Sequence, residues 1–157
     1  MSLEQKVIQT LRDTRKTLAV AESCTGGLLC HRLTNIPGSS EVFKFGLVAY
    51  SNVAKTIFLG VPRTTIRRFG AVSKETAIAM AKGARRKLKS DFGLSITGIA
   101  GPTGGSKKKP IGITFIALAT GQKMACLQYH FKGQRTRIKS QAANQAIRLL
   151  LRSINDE

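Results

Sequence analysis

From Ser95 to Lys107 the chain reads Ser-Ile-Thr-Gly-Ile-Ala-Gly-Pro-Thr-Gly-Gly-Ser-Lys, placing four glycines and a proline directly behind an apolar run. A short apolar run stopped by glycine and proline predicts a buried strand that ends in a loop able to bring backbone N–H groups close to a ligand. Ala19 to Gly27, Ala-Val-Ala-Glu-Ser-Cys-Thr-Gly-Gly, has the same design: an apolar strand, a small polar cluster, then a helix. In α/β proteins ligands gather at the carboxyl ends of strands, so these two loops are expected to share one site.

The remaining pattern agrees with that class. Leu3, Val7, Thr10 and Leu11 recur at helical spacing, which predicts a first helix from Ser2 to about Arg15, capped by Ser2. Thr17–Ala21 reads as a buried strand and Gly26–Leu33 as a helix with Leu28, Leu29 and Leu33 inward, closed by the turn at 35–40. Phe43–Tyr50 alternates like a half-buried strand, Ser51 can cap a short helix carrying Lys55, and Pro62 can start another through Phe69. Ser73 opens a long helix to about Lys89, with Ile78, Ala81 and Leu88 inward. Phe92–Thr97 is the next strand, Ile111–Ala119 and Met124–Phe131 form a hairpin, and Thr136–Ile154 is the last helix. The expected fold is a mixed sheet with helices on both faces, formed by residues 1–157 as one domain.

Composition narrows the function classes. No apolar run approaches the roughly 20 residues that cross a bilayer, and Met-Ser-Leu-Glu-Gln-Lys has no secretory core, so a cytoplasmic protein without membrane partners is expected. Cys24, Cys30 and Cys126 show no ligand spacing, and His31 and His130 are far apart, so no metal site is predicted. Lys and Arg number 26 against 8 Asp and Glu, a formal charge of +18. That field attracts polyanions or phosphorylated metabolites, with clusters around Lys82–Lys89, Lys107–Lys109 and Arg135–Arg152. Most of the charge reads as solvated surface, because no aromatic platform is interleaved with it.

The glycine loop matches neither the GxxxxGK phosphate loop nor GxGxxG, and the carboxylates do not pair. What remains is a nucleophile at a helix start: Ser23, with Cys24 as its neighbour and rival. A serine without histidine needs another base, and a lysine can serve if burial and surrounding positive charge keep it neutral. Two plainer readings stand beside this one. Ser23 and Thr25 could simply cap the helix while Gly26 and Gly27 allow close packing, and Lys55 taken alone reads as a solvated helix lysine.

Four segments in this order and spacing resemble the CinA C-terminal-domain family, whose characterised enzymes are nicotinamide-nucleotide amidohydrolases. They are Ala21–Gly27 (AESCTGG), Tyr50–Lys55 (YSNVAK), Gly70–Ser73 (GAVS) and Ile96–Gly105 (ITGIAGPTGG). The resemblance implies a three-layer α/β/α sandwich with a mixed sheet, in the stand-alone form, and hydrolysis of the carboxamide of nicotinamide mononucleotide without a cofactor. It places the nucleophile on Ser23 and its base on Lys55, with Tyr50 and Thr97 in the catalytic motifs. Thr25, Gly26, Gly27, Gly98, Gly101, Gly104, Gly105 and Arg135 would contact substrate, Arg135 through its phosphate. It also implies a homo-oligomer. Gln134 departs from the family's usual aspartate before the arginine, and the Ser106–Lys109 run is unusually basic. Two other readings keep the fold: an amidase for a different phosphorylated amide, and an inactive basic module that binds nucleotide or nucleic acid, which ranks behind the enzyme.

Overall fold

In the computed structural model, which describes residues 1–156, one five-stranded sheet carries helices on both faces. The strands are β1 (Leu18–Glu22), β2 (Phe43–Val48), β3 (Phe92–Gly98), β4 (Ile113–Ala119) and β5 (Met124–His130), in spatial order β2-β1-β3-β4-β5. β1 pairs in parallel with β2 and β3, whereas β3–β4 and β4–β5 are antiparallel. Helices α1 (Leu3–Thr14), α2 (Leu28–Thr34) and α6 (Arg135–Asn155) cover one face; α3 (Asn52–Leu59), α4 (Arg63–Phe69) and α5 (Lys74–Lys87) cover the other. This is the mixed α/β arrangement expected from the sequence.

Strand chemistry follows position in the sheet. β1 and β4 are buried at every residue and β3 at all but its last, so their sequences are nearly continuous apolar or small runs. β2 lies at an edge and alternates between half-buried and exposed residues, as its sequence period requires. The larger core joins Val7, Ile8 and Leu11 of α1 to Leu18 and Val20 of β1, Leu94 and Ile96 of β3, and Ile138, Ala142 and Ile147 of α6. On the other face Ala19 and Ala21 meet Leu59, Met80 and Ala84. Small residues there let α5 pack closely against the end of α3: a Cβ at Gly83 would lie 1.9 Å from the Leu59 carbonyl oxygen.

Caps set the helix bounds. Ser2 and Gln5 form a reciprocal capping box on α1, and the Ser51 and Ser73 hydroxyls accept from the N–H groups of Ala54 and Thr76. Several expectations shift. Leu88 is not inward: α5 ends at Lys87 and Leu88 is 55% exposed. Arg135 is the first residue of the last helix rather than a residue before it, and Gln134 is its N-cap without a side-chain cap bond. Ile111 and Phe131 fall outside the hairpin strands. In the basic run, Ser106 and Lys109 close a turn on each other, and Lys109 Nζ donates to the Phe69 carbonyl at 2.6 Å, tying the run to the end of α4.

Strand order places the site. From β1 the chain leaves through α2 to β2 on one side, while β3, its other neighbour, leads away to β4. The connections diverge at the carboxyl ends of β1 and β3, and a crevice forms at such a point. The loops 23–27 and 99–105 both begin there.

Candidate active site

Three local features bring Ser23 and Lys55 together. Ser23 follows the last residue of β1, and its N–H continues the ladder to the Ile96 carbonyl at 3.0 Å. Ala49, just beyond β2, donates its N–H to the Glu22 carbonyl at 2.8 Å, so the ends of β1 and β2 are held side by side. The Ser51 cap then starts α3 and puts Lys55 in its first turn. Side chains on a helix lean toward its N-terminus, which carries the amine back over the strand ends. Lys55 Nζ lies 2.9 Å from Ser23 Oγ and 2.9 Å from the Ala49 carbonyl oxygen.

Lys55 is only 1% exposed, so it is not the solvated helix lysine its local sequence suggested. Burial pushes its pKa below the ordinary lysine value. Among the described residues no carboxylate hydrogen-bonds to it; its partners are a hydroxyl and a carbonyl. Neutral Lys55 can keep one N–H on Ala49 and turn its lone pair to the Ser23 hydroxyl.

Cys24, the rival nucleophile, belongs to the core beneath α2 and α6, and burial pushes its thiol up to about 11. A thiol with that pKa is protonated at neutral pH and a poor nucleophile. His31 is exposed on α2 and lies beside Asn35.

Glu22 is a site residue whose role the sequence reading missed. It is fully buried, and its two carboxylate oxygens accept the N–H groups of Leu29 and Cys30, each at 2.9 Å. A side chain seven residues upstream therefore caps α2, since Gly27, the N-cap position, has none. Gly26 and Gly27 adopt φ of +61° and +97°, so the turn favours glycine there for its backbone conformation. Glu22→Ala would strand two buried donors. The expected cost is about 3 kcal/mol, or roughly 6–12 °C in Tm, with Glu22→Gln recovering part of it in a thermal melt because its single amide oxygen can still accept.

The other predicted residues surround the pair. Gly26 N–H closes the turn on the Ser23 carbonyl at 3.1 Å. Thr25 Oγ1 is buried and, among the described residues, has no hydrogen-bond partner. Thr97, buried at the end of β3, donates its hydroxyl proton to the Ala71 carbonyl at 2.8 Å and so holds the Gly70–Ser73 turn. Gly98 ends β3; Gly101, Gly104 and Gly105 lie in the exposed-edged loop beyond it. From α6, Arg135 ties the 99–105 loop to the segment that follows β2: Nη1 donates to the Gly101 carbonyl at 2.7 Å and Nη2 to the Tyr50 hydroxyl at 3.0 Å. Tyr50 itself is 60% exposed.

Lys139, one helical turn beyond Arg135, was also missed. Its Nζ would lie 3.5 Å from a Cβ placed on Gly26, so it stands over the 23–27 loop. The signal was its spacing: four residues from Arg135 on one helix means the same face.

A buried serine–lysine pair thus lies at the strand ends of an α/β/α sheet, walled by glycine turns and flanked by the cations Arg135 and Lys139. The CinA C-terminal domain profile matches residues 1–154, and the chain belongs to that family. It is 51% identical over 152 residues to a CinA-like protein of Syntrophus aciditrophicus, covering 96% of this chain and 36% of that one. A CinA-like protein of Kosmotoga olearia is 46% identical over 153 residues, covering 98% and 37%. The chain thus spans little more than a third of the length of these relatives. Among solved structures, competence/damage inducible protein CihA from Agrobacterium tumefaciens superposes with a TM-score of 0.94 at 37% identity, covering 98% of this chain and 93% of that one. A CinA superfamily protein from Klebsiella pneumoniae gives 0.95 at 28% identity, covering 99% and 97%.

Proposed function

We propose that this protein hydrolyses the carboxamide of nicotinamide mononucleotide to nicotinate mononucleotide and ammonia, with Ser23 as nucleophile and Lys55 as base. The observation that carries the reading is the 2.9 Å contact between a buried amine of lowered pKa and the hydroxyl at the end of β1. Ser23 Oγ attacks the carboxamide carbon as its proton passes to Lys55 Nζ, forming a C–O bond and a tetrahedral oxyanion. The amides of Thr25 and Gly27 supply the oxyanion donors, since Gly26 N–H is spent on the turn and the Thr97 proton on Ala71. Collapse breaks the C–N bond, and the proton on Lys55 leaves with ammonia. Water, activated by the same amine, then hydrolyses the acyl ester and restores the hydroxyl.

Arg135 and Lys139 suit the phosphate end. Arg135 has donors beyond the two it uses on Gly101 and Tyr50, and Lys139 adds a point charge over the loop. The choice of a pyridine mononucleotide over other phosphorylated amides rests on the family resemblance, and the Ser23–Lys55 pair serves either substrate. Ammonia release measured in parallel from nicotinamide mononucleotide, nicotinamide riboside and nicotinamide separates these readings. Turnover of the mononucleotide alone is expected; release from none of the three overturns the proposed substrate.

A further inference from the structure

The cations of the face formed by α4 and α5 have no role in the reaction proposed above, and their arrangement differs from that of the cations elsewhere. Between Glu41 and Asp91 the only carboxylate is Glu75, and between Asp91 and Asp156 there is none. Among the described residues, the carboxylates that form ion pairs serve the region around α1: Glu4 pairs with Arg32, Glu41 with Arg12, and Asp91 lies 4.0 Å from Lys16. α4 and α5 are left with an excess of positive charge.

Part of that charge borders a cleft of about 290 Å³ where the last turns of α5 meet the β4–β5 turn. Lys82, Arg85, Arg86 and Lys123 line it together with residues of the turn from Ala119 to Met124, and among the described residues no carboxylate does. The groups are ordered in space by their elements. Lys82 and Arg86 are four residues apart on one helix, hence about 6 Å along its axis, and Lys123 faces them from the hairpin. Arg85 is anchored, its Nε donating to the Asp91 carbonyl at 3.2 Å, with Nη2 beside the turn at Gly121. Asp91 and Asp156 line the adjoining cleft that contains Lys16, which Arg85 and Lys123 also border, so the described carboxylates lie on that side of the turn and Lys82 and Arg86 on the other.

Lys82, Arg86 and Lys123 are exposed and spaced out rather than buried and convergent. A compact dianion would need desolvated donors aimed at one point. An extended polyanion needs the opposite: a solvated row of cations, each replacing a counterion along a backbone. We infer that this face binds the phosphate backbone of duplex nucleic acid without reading its sequence, at the end of the sheet opposite the Ser23–Lys55 site.

The test is fluorescence anisotropy with a labelled 20-base-pair DNA of arbitrary sequence, titrated from 50 to 200 mM KCl. The full chain should bind with a steep salt dependence. Lys82→Glu/Arg86→Glu/Lys123→Glu should weaken binding at least tenfold at 100 mM and flatten the slope of log K against log salt by about 2–3. Lys6→Glu/Arg148→Glu/Arg152→Glu, an equal charge change at exposed positions on the other face, should weaken it much less. The corresponding glutamine triple at 82, 86 and 123 gives a second reading without added negative charge, and a thermal melt establishes that each variant is folded. Equal losses from the two glutamate triples would overturn the inference, because net charge would then explain everything. So would absence of DNA binding at 50 mM salt, or binding to vesicles of anionic lipid that depends on the triad while DNA binding does not. None of these outcomes bears on ammonia release, which the Ser23 and Lys55 variants test separately.

Discussion

Ser23→Ala is expected to lower ammonia release by at least about a thousandfold while leaving nicotinamide mononucleotide binding measurable. In the proposed mechanism the Ser23 oxygen forms the covalent bond, and no neighbouring side chain takes its place. Cys24, next in sequence, is buried in the core with its thiol held near 11, so it stays protonated at neutral pH. Cys24→Ala should therefore keep turnover within a few fold. Steady-state ammonia assays with calorimetric binding on the same samples distinguish lost chemistry from lost affinity. Turnover by Ser23→Ala at near the parent rate would remove the nucleophile assignment and, with it, the covalent route.

Lys55→Met should be as inactive as Ser23→Ala, because the proposed base for the serine proton is gone while the buried volume is largely retained. The unmodified protein carries a second signature of the same amine. Only neutral Lys55 can accept a proton, and burial lowers its pKa, so kcat/KM should rise with pH and level off below the ordinary lysine value of 10.5. Stability should move in the same sense. Between the lowered folded pKa and 10.5 the unfolded chain binds more protons at this position than the folded one, so folding gains as pH rises through that window. Below it, the native state bears the full cost of a buried ammonium. The Tm difference between the parent and Lys55→Met should accordingly shift toward the parent with increasing pH; a pH-independent difference would mean that Lys55 is not held neutral by the fold.

Local signals in the sequence carried most of the element boundaries. The Ser2, Ser51 and Ser73 caps, the apolar runs of β1, β3 and β4, and the alternation in β2 all depend on neighbours within a few residues. Leu88 shows the limit of that information. Its helical spacing is inward, but α5 has already ended and the side chain faces water.

At the site the division has a different cause. Ser23, the glycines of both loops and the family resemblance are present in the primary structure, as motifs at strand ends. Three properties arise only when separate elements meet: the burial of the Lys55 amine between α3 and the ends of β1 and β2, the service of Glu22 as the cap of a helix that begins six residues later, and the placement of Lys139 over the 23–27 loop. A residue's chemistry is intrinsic, and its local conformation is governed by near neighbours. Its solvation and its partners are set by whatever packs on it from across the chain, and for a lysine those decide whether it is a surface charge or a base.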